Sequence, residues 1–163
     1  MDYGVLGETI AALTEGETDP ITLMATVVCE VHFSDARFDW TGFYRVVAPE
    51  VMKVGPYQGG HGCLVIPFSR GVCGAAARSG QTQLVSDVTV FQDHIACDSR
   101  TQSELVLPVT CWGCSISIAT CVMLLLFATL RRYKISWQAR FYRWAKKFPD
   151  MVKKNSKISQ ILY

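Results

Sequence analysis

The hydrophobic pattern changes from helical to alternating between Asp19 and Val47. Asp19 is suited to cap a helix, and Pro20 is suited to its first turn. Apolar side chains then recur at helical spacing, at Ile21, Met24, Val27, Val28 and Val31. This periodicity predicts a helix.

From Phe38 to Val47 the pattern alternates, which predicts a strand. One side of that strand carries Phe38, Trp40, Tyr44 and Val46, and the other mostly Asp39, Thr41 and Arg45.

Short strands bounded by turn residues dominate the middle of the chain. Glycine, proline, aspartate or serine flank further predicted strands at 51–57, 63–68, 82–86 and 104–109. Between them, residues 71–79 are rich in alanine and predict a helix that Gly80 closes. Helices beside a run of antiparallel strands predict an α+β domain, with a central antiparallel sheet flanked by helices.

Charge divides the chain into an acidic body and a basic tail. Residues 1–130 carry six Lys and Arg against thirteen Asp and Glu, whereas residues 131–163 carry ten against the single Asp150. An acidic body repels nucleic acid, so no nucleic-acid partner is expected, and contact with an anionic membrane would involve the tail. The N-terminus has no basic residue followed by an apolar core, so we expect no secretory signal and a cytoplasmic location.

The segment after Val109 differs in composition from the residues before it. Residues 111–130 are largely apolar, and a helix of that length, at about 1.5 Å per residue, would match the ~30 Å core of a bilayer. A basic amphipathic helix is predicted over residues 136–148. We therefore divide the chain into a domain over residues 1–109 and a divergent tail over residues 110–163. Membrane contact through residues 111–148 is left open.

Three of the seven cysteines lie in stretches rich in glycine and short polar residues. Cys63, Cys73 and Cys97 each fall at a predicted turn or element end, whereas inert buried cysteines more often lie among branched aliphatic residues. Because the cytosol keeps thiols reduced, a bridge among them would be transient and catalytic rather than structural. The sequence therefore indicates a redox enzyme.

Metal binding is an alternative role for these thiols. The usual zinc ligands occur at His61, Cys63, Cys73, His94 and Cys97. They are scattered rather than closely paired, so no metal site is predicted. The pair Cys111 and Cys114 has the closer spacing, but it lies in an apolar run without the strand and helix that flank redox motifs.

Several ordered motifs resemble those of one family. They are Trp40-Thr41-Gly42-Phe43-Tyr44, the turn from Gly59 to Cys63, Arg70-Gly71-Val72-Cys73-Gly74, Asp87-Val88, and His94-Ile95-Ala96-Cys97-Asp98 followed by Ser103-Glu104-Leu105. Together they resemble the free methionine (R)-sulfoxide reductases, which are catalytic members of the GAF domain family. The resemblance covers residues 1–109 and implies a GAF-like fold.

The resemblance implies reduction of free L-methionine (R)-S-oxide to methionine through sulfenic acid and disulfide intermediates. Thioredoxin would be the external reductant, and no cofactor is implied. A sulfoxide sulfur is electrophilic once its oxygen is protonated, so the site needs a thiolate beside an acid. Cys97 is the expected nucleophile and Glu104 the expected acid. Cys63 is expected to resolve the sulfenic acid, with Cys73 as the alternative for either cysteine role.

Aromatic and imidazole side chains complete the expected site. Trp40 and Tyr44 match family positions that enclose the substrate, where an aromatic wall would exclude water, and core packing is their alternative role. His94 is expected either to tune the neighbouring thiolate as a cation or to act as a structural hydrogen-bonding residue.

The chain departs from this family after Val109. The family continues with a further core strand, which ends in closely spaced aspartates that hold the substrate's amino group, and with a closing helix. Here no acidic residue occurs between Glu104 and Asp150, so Glu104 would act unsupported.

Three accounts of the tail are open. Residues 115–123 supply the missing strand and 136–148 the closing helix; residues 111–130 span a membrane; or the tail comes from an altered reading of the gene.

Two other functions fit the same residues. Because the GAF architecture frequently serves only to hold a small molecule, a non-catalytic binding or sensor domain is the first alternative. A truncated, inactive reductase with a membrane-associated tail is the second. Assembly as a homodimer is left open.

Overall fold

The computed structural model describes residues 2–110 and 121–128. Its elements are α1 (Tyr3–Leu13), α2 (Pro20–Ser34), β1 (Phe38–Ala48), β2 (Val51–Gly59), β3 (Val65–Pro67), α3 (Gly71–Ser79), β4 (Gln83–Val85), a 3₁₀ turn (Val88–Val90), β5 (Ser103–Thr110) and β6 (Cys121–Ala128). The predicted α+β class is confirmed, and the helix predicted to start at Asp19 and Pro20 and the helix predicted over 71–79 are both present.

The strands form one antiparallel sheet in the order β3-β2-β1-β6-β5-β4. Although β6 is the last of the described strands in the sequence, it lies in the middle of the sheet. Tyr44 of β1 pairs with Met123 on one side of it, and Val106 of β5 pairs with Leu125 on the other. Among the described strands, β6 is therefore what joins the β3-β2-β1 half to the β5-β4 half.

The strand that completes the sheet starts later than predicted. It runs from Cys121 to Ala128, whereas the prediction was 115–123, and residues 111–120 lie outside the described residues. The Cys111 and Cys114 pair and the predicted helix at 136–148 also lie outside them. A strand at 121–128 is incompatible with a single helix over the whole of 111–130.

No helix in the described part of the chain has the length and apolar character needed to cross a membrane.

Helices cover both faces of the sheet. Helix α1 packs on α2 and α2 packs on β1 and β2, while α3 packs against β3, β4, β5 and β6. Because successive strand residues point to opposite faces, β1 presents Thr41 to α2 and Trp40 to the α3 side. The Thr41 hydroxyl lies 3.4 Å from His32 Nδ1 of α2. Thr41 was predicted on the polar side of the strand, but α2 covers that side and Thr41 is fully buried.

Candidate active site

Two loops, helix α3 and strands β1 and β5 bring the predicted site residues together on the α3 side of the sheet. Cys63 lies in the loop between β2 and β3, just before the strand in which it was predicted. Cys73 is in the first turn of α3, Cys97 is in the loop before β5, and Glu104 is near the start of β5. Trp40 and Tyr44, on β1, belong to the same buried cluster as the cysteines.

Cys63 and Cys97 form a disulfide, with their Cα atoms 5.1 Å apart. The sequence left open whether Cys63 or Cys73 lies nearest to Cys97, and in the structure Cys63 is the partner. Cys73 is a buried free thiol, and Cys29, on α2, is a partly buried one. Among the described residues, no three His, Cys, Asp or Glu side chains cluster as a metal site would require.

Two glycines shape the loops that carry the disulfide. Gly59 ends β2 with a φ of +102°, and a side chain there would collide with the Asp39 carbonyl. Gly71 begins α3 with a φ of +70°, and its N–H donates to the Asp93 carbonyl at 3.0 Å. Positive φ favours glycine. The second contact ties the start of α3 to the loop that carries Cys97.

An aromatic stack stands behind the Cys63 loop. The Trp40 ring stacks on Tyr44, at a centroid distance of 5.8 Å, and on Tyr57, at 5.4 Å. The Tyr44 hydroxyl donates to the Cys63 carbonyl oxygen at 2.7 Å. Burial raises the pKa of Tyr44, so its hydroxyl remains a donor. Sequence reasoning missed Tyr57, although β2 ends in the family-like glycine turn two residues later.

An ion pair shapes the turn after Cys97. Arg100 Nη2 lies 2.7 Å from Asp98 Oδ2, and hydrogen bonds from Arg100 lower the pKa of Asp98 to about 2. Gly60 lies against both side chains, because a Cβ there would come within 2.8 Å of Arg100 and 3.0 Å of Asp98. The pair therefore packs the Cys97 turn onto the Cys63 loop. The sequence prediction did not include Arg100.

A small cavity lies between α3 and the Cys97 loop. It is lined by Ile66, Gly71, Val72, Cys73, Ile95, Cys97 and Glu104. Its volume is about 10 Å³, close to the least that holds one water molecule. The predicted acid and two of the three predicted sulfurs thus share one cavity, while the rings of Trp40 and Tyr44 pack behind it.

Glu104 is a buried carboxyl with a histidine partner. Its side chain is 5% exposed, and its Oε1 lies 3.0 Å from His94 Nε2. Burial raises the pKa of Glu104, and the hydrogen bond and charge of His94 partly oppose that shift. Glu104 can therefore hold a proton at a higher pH than an exposed glutamate. His94 was expected to act on the thiolate or as a structural hydrogen-bonding residue, and its observed partner is the carboxyl group of Glu104.

Cys73 differs from the other two site cysteines in its surroundings. It is 4% exposed, and burial, followed by the charge of Glu104, raises the pKa of its thiol. A thiolate is the reactive form of cysteine, so these surroundings keep Cys73 in its less reactive form. Cys63 and Cys97 are both partly exposed.

The fold defines a class of proteins. A solved structure from Burkholderia vietnamiensis, described as a putative GAF sensor protein, superposes on this chain with a TM-score of 0.75 at 32% identity and covers 92% of both chains. No protein-family model matches the chain. The architecture is that of a GAF domain.

Two comparisons narrow the class. The free methionine-R-sulfoxide reductase of Escherichia coli is 38% identical over 107 residues, which are 66% of this chain and 64% of that protein. The Neisseria meningitidis free methionine-R-sulfoxide reductase, solved with its substrate, superposes with a TM-score of 0.72 at 31% identity and covers 88% of this chain and 84% of that one. This chain belongs to the free methionine-R-sulfoxide reductase family, a family of oxidoreductases. The resemblance seen in the motifs is confirmed.

Proposed function

We propose that this protein reduces the R epimer of free methionine sulfoxide, with Cys97 as nucleophile, Cys63 as resolving cysteine and Glu104 as acid. The observation that carries the proposal is the Cys63–Cys97 disulfide, whose Cys97 half lines the same cavity as Glu104. Family membership supports the substrate class, and the shared cavity supports the pairing of a thiol with an acid.

The chemistry follows from these positions. The Cys97 thiolate attacks the sulfoxide sulfur while Glu104 protonates the oxygen. The oxygen passes to Cys97 as a sulfenic acid, methionine leaves, and the two electrons that methionine sulfur gains come from the Cys97 sulfur. The Cys63 thiol then displaces the oxygen as water and forms the disulfide. Two thiols of an external reductant, for which we propose thioredoxin, restore both cysteines.

Burial supports Cys63 rather than Cys73 as the resolving residue. Resolution requires a thiol that can lose its proton and approach the sulfenic sulfur, and the surroundings of Cys73 raise its pKa. Cys63 is already bonded to Cys97, with the Cα separation of an ordinary disulfide. Cys73 then contributes to the cavity wall instead of the electron transfer.

The disulfide-bonded structure corresponds to the end of the oxidative half of this cycle. Its cavity of about 10 Å³ is far below the roughly 300–1,000 Å³ of typical small-molecule sites. Substrate is therefore expected to bind after the disulfide is reduced and the two loops separate. Reduction precedes binding in each turnover.

The sequence of β6 affects how the substrate is held. This strand, Cys121–Ala128, contains no acidic residue, so it supplies no carboxylate for the substrate's amino group. We expect Glu104 to act as the site's acid without a second carboxylate from β6. We therefore expect weaker substrate binding, seen as a high KM, while the reaction itself is unchanged.

Replacement of Cys97, Cys63 and Cys29 in turn tests the proposal. The wild-type protein with thioredoxin, or with a small dithiol, should consume the R epimer of free methionine sulfoxide and leave the S epimer. Cys97→Ser should abolish this activity, Cys63→Ser should remove recycling by thioredoxin, and Cys29→Ser, on the other face of the sheet, should change nothing. Equal consumption of both epimers, or full activity of Cys97→Ser, contradicts the proposal.

A non-catalytic sensor is the second candidate. It is favoured by the likeness to the putative GAF sensor protein and by the missing carboxylates on β6. Calorimetric titration with free methionine and other small amino acids separates the two. Tight binding without turnover, unchanged in Cys97→Ser, indicates a sensor.

A further inference from the structure

We propose that His94 is a positioning residue for Glu104: it holds one carboxyl oxygen, so that the other faces the sulfoxide oxygen in the cavity. The inference rests on the proposed function. It assigns a role in acid catalysis to a residue that does not itself line the cavity.

The contact is short and sheltered. His94 Nε2 lies 3.0 Å from Glu104 Oε1, with the two side chains 15% and 5% exposed. Within the described residues, His94 is the one hydrogen-bond partner of the Glu104 side chain. Glu104 also lines the cavity with Cys97. Because His94 is bonded to Oε1, the inference assigns the other carboxyl oxygen to the ligand.

Two backbone hydrogen bonds hold the loop that carries His94. The backbone N–H of His94 donates to the Phe91 carbonyl at 3.2 Å, and the carbonyl of the preceding Asp93 accepts from the Gly71 N–H at the start of α3. The next residue, Ile95, packs on Gly71 and forms part of the cavity wall. Residues 94–97 therefore supply the imidazole, a wall of the cavity and the proposed nucleophile from one short anchored segment.

A buried acid needs such a partner once it has given up its proton. After transfer to the sulfoxide oxygen, Glu104 is a carboxylate away from water, where an unpaired charge is costly. The His94 imidazole stabilises that carboxylate when its Nε2–H donates to Glu104 Oε1. In the described part of the chain, the other titratable groups that interact with Glu104 are Cys73 of α3 and Tyr44 of β1. The neighbouring strands place Val85 and Phe127 opposite it in register.

The contact is tested first without catalysis. Isotope-edited infrared titration of the disulfide-bonded protein reports the protonation of Glu104 directly. His94→Phe should raise the Glu104 pKa by about one unit or more, because the carboxylate loses a donor. His94→Gln, which keeps an N–H donor, should raise it less. The matched control His32→Gln, on the α2 side of the sheet, should leave it unchanged. A Glu104 pKa that is the same in His94→Phe and wild type overturns the inference.

Kinetics then test the consequence for the reaction. His94→Phe should lower kcat about tenfold or more while KM changes less than about threefold, and His94→Gln should recover most of the loss. In the double variant with Glu104→Gln, the loss should not exceed that of Glu104→Gln alone. Losses that multiply, or a His94→Phe enzyme with wild-type kcat, overturn the inference. If wild type shows no turnover, the proposed function fails, and the infrared titration still decides the contact.

Discussion

Glu104 couples folding to pH. Burial raises its pKa in the folded protein above the value in the unfolded chain, so folding favours its protonated form. The stability gained in this way is fully present below the unfolded pKa and is lost as pH rises through the raised folded pKa. The loss is roughly 1.4 kcal/mol for each pH unit between the unfolded and the folded pKa of Glu104.

The first prediction concerns this pH interval. The free energy of unfolding of the wild-type protein should fall as pH rises from the unfolded to the folded pKa of Glu104, because a buried carboxyl group is being ionised. Glu104→Gln, which stays neutral, should lack this fall. Urea unfolding of the disulfide-bonded protein over a pH series measures it, with exposed Glu8→Gln on α1 as the matched control. A wild-type profile that Glu104→Gln reproduces contradicts the assignment.

The Tyr44 hydroxyl gives a second prediction. Tyr44→Phe removes the 2.7 Å hydrogen bond to the Cys63 carbonyl and leaves a partly buried acceptor. The free energy of unfolding should fall by about 1–2 kcal/mol. Tyr57→Phe, at a ring that also stacks on Trp40 but is more exposed, should cost less than about 0.5 kcal/mol. Thermal and urea unfolding measure the loss of unfolding free energy in both variants. Equal losses would contradict the prediction that the Tyr44 hydrogen bond to the Cys63 carbonyl stabilises the fold.

Individual site residues were predictable in part. The glycine-rich surroundings of Cys63, Cys73 and Cys97 marked all three, because reactive thiols need turns and access. Their pairing was not predictable, since it depends on how separate loops approach each other after folding. The contact between His94 and Glu104 had no sequence signal either, because a spacing of ten residues from loop to strand fixes no distance.

Among the secondary-structure elements, β2 depends on the glycine at its end. Gly59 combines a φ of +102° with a backbone carbonyl where a Cβ would stand, and it turns the chain toward Cys63. Gly59→Ala should therefore lower the free energy of unfolding by about 2–4 kcal/mol. Gly16→Ala is the matched control, because Gly16 has a φ of +74° with open space around it and should cost only about 1 kcal/mol. A Gly59→Ala loss no larger than the Gly16→Ala loss would argue against the collision.

Element prediction succeeded where caps and periodicity agreed. Asp19 accepts a hydrogen bond from Thr22 N–H at 2.8 Å, as a cap should, and begins α2. Helix α1 was missed, although Asp2 caps it in a similar way and its buried residues have helical spacing. The glycines at positions 4 and 7 lower its helix propensity, and packing on α2 outweighs that loss.

For the molecule as a whole, the position of β6 matters most. Composition changes near Val109, which is where the sequence placed the end of the domain, yet the sheet continues into residues 121–128. A strand in the middle of a sheet with helices on both faces is expected to be apolar along its whole length, without alternation. The β6 sequence has that character, so it could not be distinguished from part of a membrane segment by hydropathy alone.

Truncation tests the place of β6. A chain that ends after Thr110 lacks the strand between β1 and β5, so it should lose cooperative unfolding and expose apolar surface. A chain that ends after Leu130 keeps β6 and serves as the control. Circular dichroism melts and binding of a hydrophobic dye compare them. A sharp melting transition in the shorter chain would contradict the central position of β6.

The most direct test is a single turnover of the reduced full-length protein with free methionine sulfoxide and no reductant. The R epimer should yield about one methionine per chain, as one dithiol provides two electrons. A Cys63–Cys97 linked peptide should appear in equal amount by mass spectrometry. Methionine formed without that linked peptide, or formed equally from the S epimer, would contradict the account.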